Sequence, residues 1–480
     1  MGIGGLGKTT LAQNVYNHEK VNTHFELKIW VCVSNVFEVT TIAKKLINGI
    51  DKDDSVELMR KKCRKFNSEV YMRELANKIY QKKFLLVLDD MWNENYKNWN
   101  DFKSLLIGGA MESKIVITTR VQLVADITRP VSIYDLKGLS KDHSWFLFKK
   151  IAFRNRQETN NSKLVEIGRE IVDKCQGVPL AIESIGNALY FEKIDGWLKI
   201  KDKVQENVIE QGGGNTFSIL RLSYDHLPSY IKGCFAFCSL FPKSYWIDRM
   251  TLIQLWKAHG LIQLPNNIEI EQLEDVADEC IKNLLCMSFS YQSNSNGQDL
   301  TYRMHNLYHD LALSIVGADC RLDYLDEKTR HVSFSNASSF IRTLSLVKAS
   351  SKLRTILFTH GRYALDAMAK STLITLIESF PRFRALDLHN LNIKIMPNSI
   401  GKLIHLKYLD LSFNPIKTLP DSITALLNLQ TLKLQECHNL EQLPRDITKL
   451  VRAFCDDQIK KMMLDIQVLI SMPFNFSKSV

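Results

Sequence analysis

The run Met1-Gly2-Ile3-Gly4-Gly5-Leu6-Gly7-Lys8-Thr9-Thr10 leaves a chain few ways to fold. It fits the spacing G-x-x-x-x-G-K-[ST], in which glycines let successive backbone N–H groups turn inward around phosphate oxygens. Gly4, Gly5 and Gly7 would form the cradle, Lys8 would put a point charge on the β/γ-phosphates, and Thr9 would offer its hydroxyl to Mg2+. Such a loop joins a buried parallel strand to a helix N-terminus, which adds its own positive end to the site. The expectation is an α/β sheet with a helix opening at Thr10. Only Met1 precedes the loop, where this architecture calls for a buried strand, and this implies a protein that starts upstream.

The next residues alternate as a parallel sheet requires. Strands are expected at 25–33, 84–88 and 114–119, and helices at 40–50 and 70–80. The charged stretch 51–65 reads as a loose connection, its basic cluster at 60–65 as a solvated face. Leu85-Leu86-Val87-Leu88-Asp89-Asp90 is an apolar strand ending in two carboxylates. At the carboxyl edge of a parallel sheet, Asp89 can hold Mg2+ through water, and Asp90 can orient or deprotonate an attacking water. Arg120, closing Thr118-Thr119-Arg120 after another buried strand, is placed to reach a γ-phosphate.

From 136 to 210 the apolar spacing is helical, and Gly212-Gly213-Gly214-Asn215 reads as a boundary. A second helical stretch, 218–316, contains two short strands around the polar turn 292–297, the pattern of a winged helix. The last third repeats. Leu406, Leu409, Leu411, Asn414 and Ile416 fit L-x-x-L-x-L-x-x-N-x-[LI], with copies 23 residues earlier, from Phe383, and 23 residues later, from Leu429. Weaker copies stand at 341–346 and 353–358. A leucine-lined turn cannot bury its own apolar face, so roughly five such units must stack as a solenoid. After Leu450 the pattern dissolves, with no closing cap.

Composition excludes several classes. At 480 residues, 45% hydrophobic and 24% charged, the chain is a multidomain globular one. No apolar run approaches the ~18 residues that span a bilayer. The net charge of +10 is mild for this length, and nucleic acid is not an expected partner. The ten cysteines form no C-x-x-C pair, which argues against zinc modules and disulfide frameworks, and Cys234 and Cys238 read as core. His305-Asn306-Leu307-Tyr308-His309 has the outline of a zinc-protease helix, but Asn306 cannot serve as its general base.

In order along the chain, the loop at 2–10, the segments 25–34, 85–92 and 114–120, Gly177-Val178-Pro179-Leu180, residues 234–261, Met304-His305-Asn306 and the repeats resemble the NB-ARC, leucine-rich-repeat class of plant disease-resistance proteins. Trp92 resembles its coiled-coil subclass. The resemblance implies a P-loop nucleotide-binding domain over 1–134, a helical domain over 135–215, a winged helix over 216–320, repeats over 325–450 and an irregular tail over 451–480. It implies an ADP/ATP switch using Mg2+. Gly4, Gly5, Gly7, Lys8, Thr9 and Thr10 would bind phosphate, Thr9 and Asp89 the metal. Lys8, Asp90 and Arg120 would act in slow hydrolysis, Pro179 would wall the adenine, and His305 would reach the β-phosphate of ADP. Asn306 stands where this class has aspartate, which implies a less secure ADP-bound state. The implied partners are a pathogen effector or a guarded host protein at the repeats, and a second copy in the ATP form. The implied compartment is the cytoplasm, with entry to the nucleus. Two other readings fit the residues: a truncated interaction fragment that binds no nucleotide, and a turnover P-loop ATPase.

Overall fold

Apolar runs become the strands that a sheet can bury on both faces. The computed structural model describes residues 1–33, 37–50, 68–153, 162–190, 192–210, 216–262, 273–286, 289–293, 300–344, 352–359, 368–447, 450 and 454–455. It forms two compact units, Met1–Leu227 with Cys286–Ser288, and Pro228–Leu285 with Phe289–Val480. The connection expected at 51–65 and the boundary at 212–215 lie outside the described residues.

In the first unit, β1 (Leu27–Cys32), β2 (Phe84–Asp89) and β3 (Lys114–Ile117) run parallel in the order β1-β2-β3. Every residue of β2 is buried, as a central strand flanked on both edges and covered on both faces must be. β3 is only half-buried, and among the described residues one of its edges carries no strand. Helices Val39–Ile50 and Ser68–Ile79 pack Ile42, Leu46, Leu75 and Ile79 against Ile29, Leu86 and Leu88. The helix after the glycine loop begins at Lys8 and runs to Tyr16. Four further helices, Lys141–Ala152, Ser162–Lys174, Pro179–Tyr190 and Ile194–Glu210, surround Phe148, Ile182 and Trp197, and Leu6 of the glycine loop belongs to the same core.

The second unit opens with a winged helix. β4 (Ile247–Asp248), β5 (Phe289–Ser293) and β6 (Leu300–Met304) form an antiparallel sheet in the order β4-β6-β5, beside helices Ser229–Phe237, Arg249–His259, Leu273–Cys286 and Asn306–Val316. Gln292 and Ser293, expected in the turn, extend β5 instead; residues 294–297 lie outside the described residues. Cys234 and Cys238 are buried as expected.

A parallel sheet of seven strands follows: β7 (Cys320–Leu322), β8 (His331–Phe334), β9 (Thr355–Phe358), β10 (Ala385–Asp387), β11 (Tyr408–Asp410), β12 (Thr431–Lys433) and β13 (Phe454–Cys455). The repeat leucines fill one continuous core along it. Three expectations change here. The copy read at 341–346 is, through Leu344, the end of helix Ala337–Leu344, because Phe340, Ile341 and Leu344 also satisfy helical spacing. β7 and β8 extend the sheet before the first recognisable repeat, so the stack exceeds five units. β13 continues it beyond Leu450, where the leucine pattern had ended.

Candidate functional site

β2 carries Asp89 to the carboxyl edge of the sheet, where parallel strands leave side chains free to meet a ligand. Asp89 is buried and fully engaged. Its carboxylate accepts hydrogen bonds from Thr9 Oγ1 at 2.9 and 3.1 Å and from Thr118 Oγ1 at 2.6 Å. Thr118 in turn accepts the backbone N–H of Asp90 at 2.9 Å, so one hydroxyl fixes both carboxylate residues. Asp90 adopts φ 54°, a left-handed conformation that costs energy for a residue with a Cβ and is commonest at functional sites. Its carboxylate meets Arg120 Nη2 at 3.3 Å, and the Arg120 guanidinium lies over the Trp92 ring at 5.0 Å.

The glycine loop reaches this cluster through Thr9. Gly7 caps helix Lys8–Tyr16 with φ 87° and offers no side-chain acceptor, so the first N–H groups of the helix remain available for an anion. Gly5 (φ 82°) is needed for space as well, because a Cβ there would stand 3.0 Å from Leu180 Cβ and 3.1 Å from Val178 Cγ1. The Leu180 N–H donates to the Gly5 carbonyl at 3.3 Å, which seats Pro179, at the start of its helix, beside the loop. Lys8 Nζ donates to the carbonyls of Gly2 and Ile3 at 2.7 and 2.8 Å. Burial and then the nearby Arg120 charge lower its pKa to about 8, although Asp90 and Asp89 pull the other way. An amine folded onto carbonyl oxygens and crowded by a guanidinium is set to gain from a phosphate. A cleft of about 340 Å³ opens beside the loop, lined by Gly2, Ile3, Arg120, Gln122, Leu136 and Gly138.

Lys8, Thr9, Asp89, Asp90 and Arg120 thus converge, and Gly5, Gly7 and Pro179 stand around them. Thr10 is exposed on the helix. His305 lies in the second unit, where its Nδ1 caps helix Asn306–Val316 by accepting the Leu307 N–H at 3.2 Å. Asn306 Oδ1 accepts from Ser244 at 3.4 Å, and His309 is spent on the Phe241 carbonyl at 2.7 Å. Sequence reasoning gave Thr118 no role and did not pair Trp92 with Arg120. Both stand inside segments already singled out, but spacing along a strand does not reveal which neighbouring strand a hydroxyl will face.

Family models match three stretches: the NB-ARC domain at residues 1–158, the disease resistance protein winged helix domain at 240–312, and a leucine-rich repeat region at 365–465. Disease resistance protein RGA2 of Solanum bulbocastanum is 37% identical over 447 residues, 92% of this chain and 42% of that protein. Putative disease resistance protein RGA1 of the same species is 34% identical, covering 86% of this chain and 38% of its own length. Disease resistance protein RPM1 of Arabidopsis thaliana is 28% identical, with 85% and 44% covered. The chain therefore spans about two fifths of the length of these relatives. With a P-loop domain of a nucleotide-binding fold, a winged helix and leucine-rich repeats in that order, the chain belongs to the NB-ARC, leucine-rich-repeat family of plant disease resistance proteins.

Proposed function

We propose that this chain acts in plant defence as an adenine-nucleotide switch whose state is read by its repeats. The observation that carries the reading is the convergence of Lys8, Thr9, Asp89, Asp90 and Arg120 in one cluster of a disease-resistance relative. Residues 1–134 bind the nucleotide, 135–215 supply Pro179 beside the base, 216–320 supply His305 as a clamp on the ADP form, and 325–450 meet the partner, an effector or a guarded host protein. Trp92 favours the coiled-coil subclass, and the cytoplasm is the fitting compartment. Among the described residues no helix is long and apolar enough to cross a membrane.

The donor set suits Mg2+, since the Thr9 hydroxyl and the Asp89 carboxylate are hard oxygens at hydrogen-bond distance of each other. When bound, the ion would neutralise charge on the phosphate oxygens. Lys8 leaves the Gly2 and Ile3 carbonyls for the phosphates, and the first turn of its helix adds backbone N–H groups. Arg120, held between Asp90 and Trp92, turns to the γ-phosphate and releases the Asp90 carboxylate to orient water. Hydrolysis resets the switch, and a resetting role calls for a slow ATPase rather than an enzyme that turns over. ATP favours the open form and self-association, ADP the closed one. Each acts only through its differential affinity for the two forms.

Denaturing the purified chain and analysing what it releases tests this reading. Near-stoichiometric ADP is expected, and less of it from Lys8→Ala. A folded chain that carries no nucleotide and binds none on addition overturns it.

A further inference from the structure

The connection into β3 turns apolar side chains toward solvent, where a turn ordinarily carries polar ones. Residues 105–113 join helix Tyr96–Ser104 to β3, and on them Ile107 and Met111 are 78% and 91% exposed. Tyr80, between helix Ser68–Ile79 and β2, is 62% exposed. Backbone bonds hold these two connections together. The Gln81 N–H donates to the Gly108 carbonyl at 2.8 Å, and the Ala110 N–H to the Lys82 carbonyl at 3.0 Å. The Ser113 hydroxyl closes the turn by donating to the Ala110 carbonyl at 2.7 Å. A Cβ at Gly108 would stand 3.3 Å from the Tyr80 ring, and one at Gly109 would stand 2.4 Å from the Phe84 ring. The loop is thus pinned from beneath, with its largest apolar side chains outward.

Cations flank the cluster in sequence. Lys82 follows Tyr80 by two residues, Lys103 precedes Ile107 by about one helical turn, and Lys114 follows Met111 by three. All three lysines are exposed, and among the described residues no ion pair engages them. Two nearby carboxylates are spent on Lys83: Glu112 pairs with its ammonium, and Glu26 accepts its N–H at 3.0 Å. We propose that this edge of the sheet docks on an anionic lipid bilayer. Met111 and Ile107 enter the acyl boundary, Tyr80 sits at headgroup level, and the lysines reach the anionic headgroups. Shape and charge together select that occupant. Adjacent exposed apolar side chains mark an interaction site. These protrude from a turn and wall no groove, so a peptide has nothing to enter, whereas lipid closes around them. A purely electrostatic partner would leave them unused, but interfacial binding grows with both buried apolar area and attraction to anionic lipid. The cluster lies at the amino ends of β2 and β3, while Asp89 ends β2 at the other edge. Six residues of strand put roughly 17 Å between the two, so a docked chain keeps its nucleotide site open.

Flotation of the full chain with lipid vesicles tests the proposal. The chain should float with mixed phosphatidylcholine and phosphatidylserine, far less with phosphatidylcholine alone, and less as salt rises. Ile107→Ser/Met111→Ser and Lys103→Gln/Lys114→Gln should each weaken the partition by about tenfold or more. Two control pairs should leave it unchanged. Ile404→Ser/Leu427→Ser removes two exposed apolar side chains from the repeats, and Lys141→Gln/Lys402→Gln removes the same charge from exposed sites elsewhere. Circular dichroism confirms that each variant is folded. No flotation with the anionic vesicles, equal flotation with neutral ones, or control pairs that lose as much as the other two overturns the proposal. A chain that releases ADP yet stays off the vesicles loses this surface and keeps the switch. A nucleotide-empty chain that floats does the reverse.

Discussion

Lys8 shows how one side chain can report the state of the whole site. Its amine is half-buried, and burial and then Arg120 lower its pKa to about 8. A phosphate in the loop favours the charged amine and draws the pKa back up, so binding takes up a proton wherever the free amine is partly neutral. Affinity should therefore hold steady below about pH 7 and fall as pH rises through 8, by at most about tenfold per unit. Calorimetric titration of ADP across that range, in buffers of differing ionisation enthalpy, measures both the affinity and the proton. Lys8→Arg stays charged throughout, and its affinity, whatever its absolute value, should be flat with pH. A parent chain with pH-independent affinity would show that the amine does not meet the phosphates. At this scale the sequence was most informative about residue type: Lys8, Thr9, Asp89, Asp90 and Arg120 were all named by their motifs. It was silent about Thr118, whose hydroxyl joins Asp89 to Asp90 across two strands.

Among elements, the repeats depend on a few buried polar side chains that take the place of a missing strand partner. Asn414 is 2% exposed. Its Oδ1 accepts from the N–H groups of Leu391 and Ile393, and its Nδ2 donates to the carbonyls of Leu388, Leu411 and Ser412. It thus satisfies the turn after β10 as well as its own. Asn414→Ala leaves several buried backbone groups unpaired and should cost about 3 kcal/mol or more. Urea unfolding followed by tryptophan fluorescence and far-ultraviolet dichroism measures it, and a loss below ~1 kcal/mol would mean water replaces the side chain. This asparagine belongs to the repeat signature, so the sequence revealed both the element and its anchor. Elements without such anchors were harder to read. β7 and β8 are three and four residues long, and their leucine spacing does not repeat. Residues 340–344 satisfy two periods at once, and only packing against β8 decides for the helix. In β13 the partner strand supplies the order that its own residues do not specify.

The second unit holds titratable groups with opposite pH responses, two of them where the winged helix meets the repeat sheet. Thr355 Oγ1 lies 2.8 Å from His259 Nε2 and 2.9 Å from His331 Nδ1, so one hydroxyl bridges the two rings. Burial is the largest cause that lowers both histidines, Arg384 adds to it at each, and His331 adds to it at His259. Lys407 adds to this at His259, and Arg330 and Arg354 do so at His331, which falls to about 4 even though Asp319 pulls it upward. Both are neutral in the folded state, so their contribution is complete above the unfolded value near 6.5. It is lost as pH falls, by on the order of 2 kcal/mol per histidine near pH 5. His389 behaves the other way. Burial pushes it down, but Asp387 at 2.7 Å, with Asp410 behind it, lifts it to about 9 against the pull of Lys433. Its contribution is complete below 6.5 and is lost as pH rises through 9. Stability of this unit should therefore peak near pH 6.5 and decline on both sides. Thermal melts from about pH 4.5 to 9.5 test this on the full chain and on two variants. His389→Gln should flatten only the alkaline limb, and His259→Gln should soften only the acid one. If both variants shift the two limbs equally, the pH dependence arises from the remaining charges, and the histidines serve only as packing.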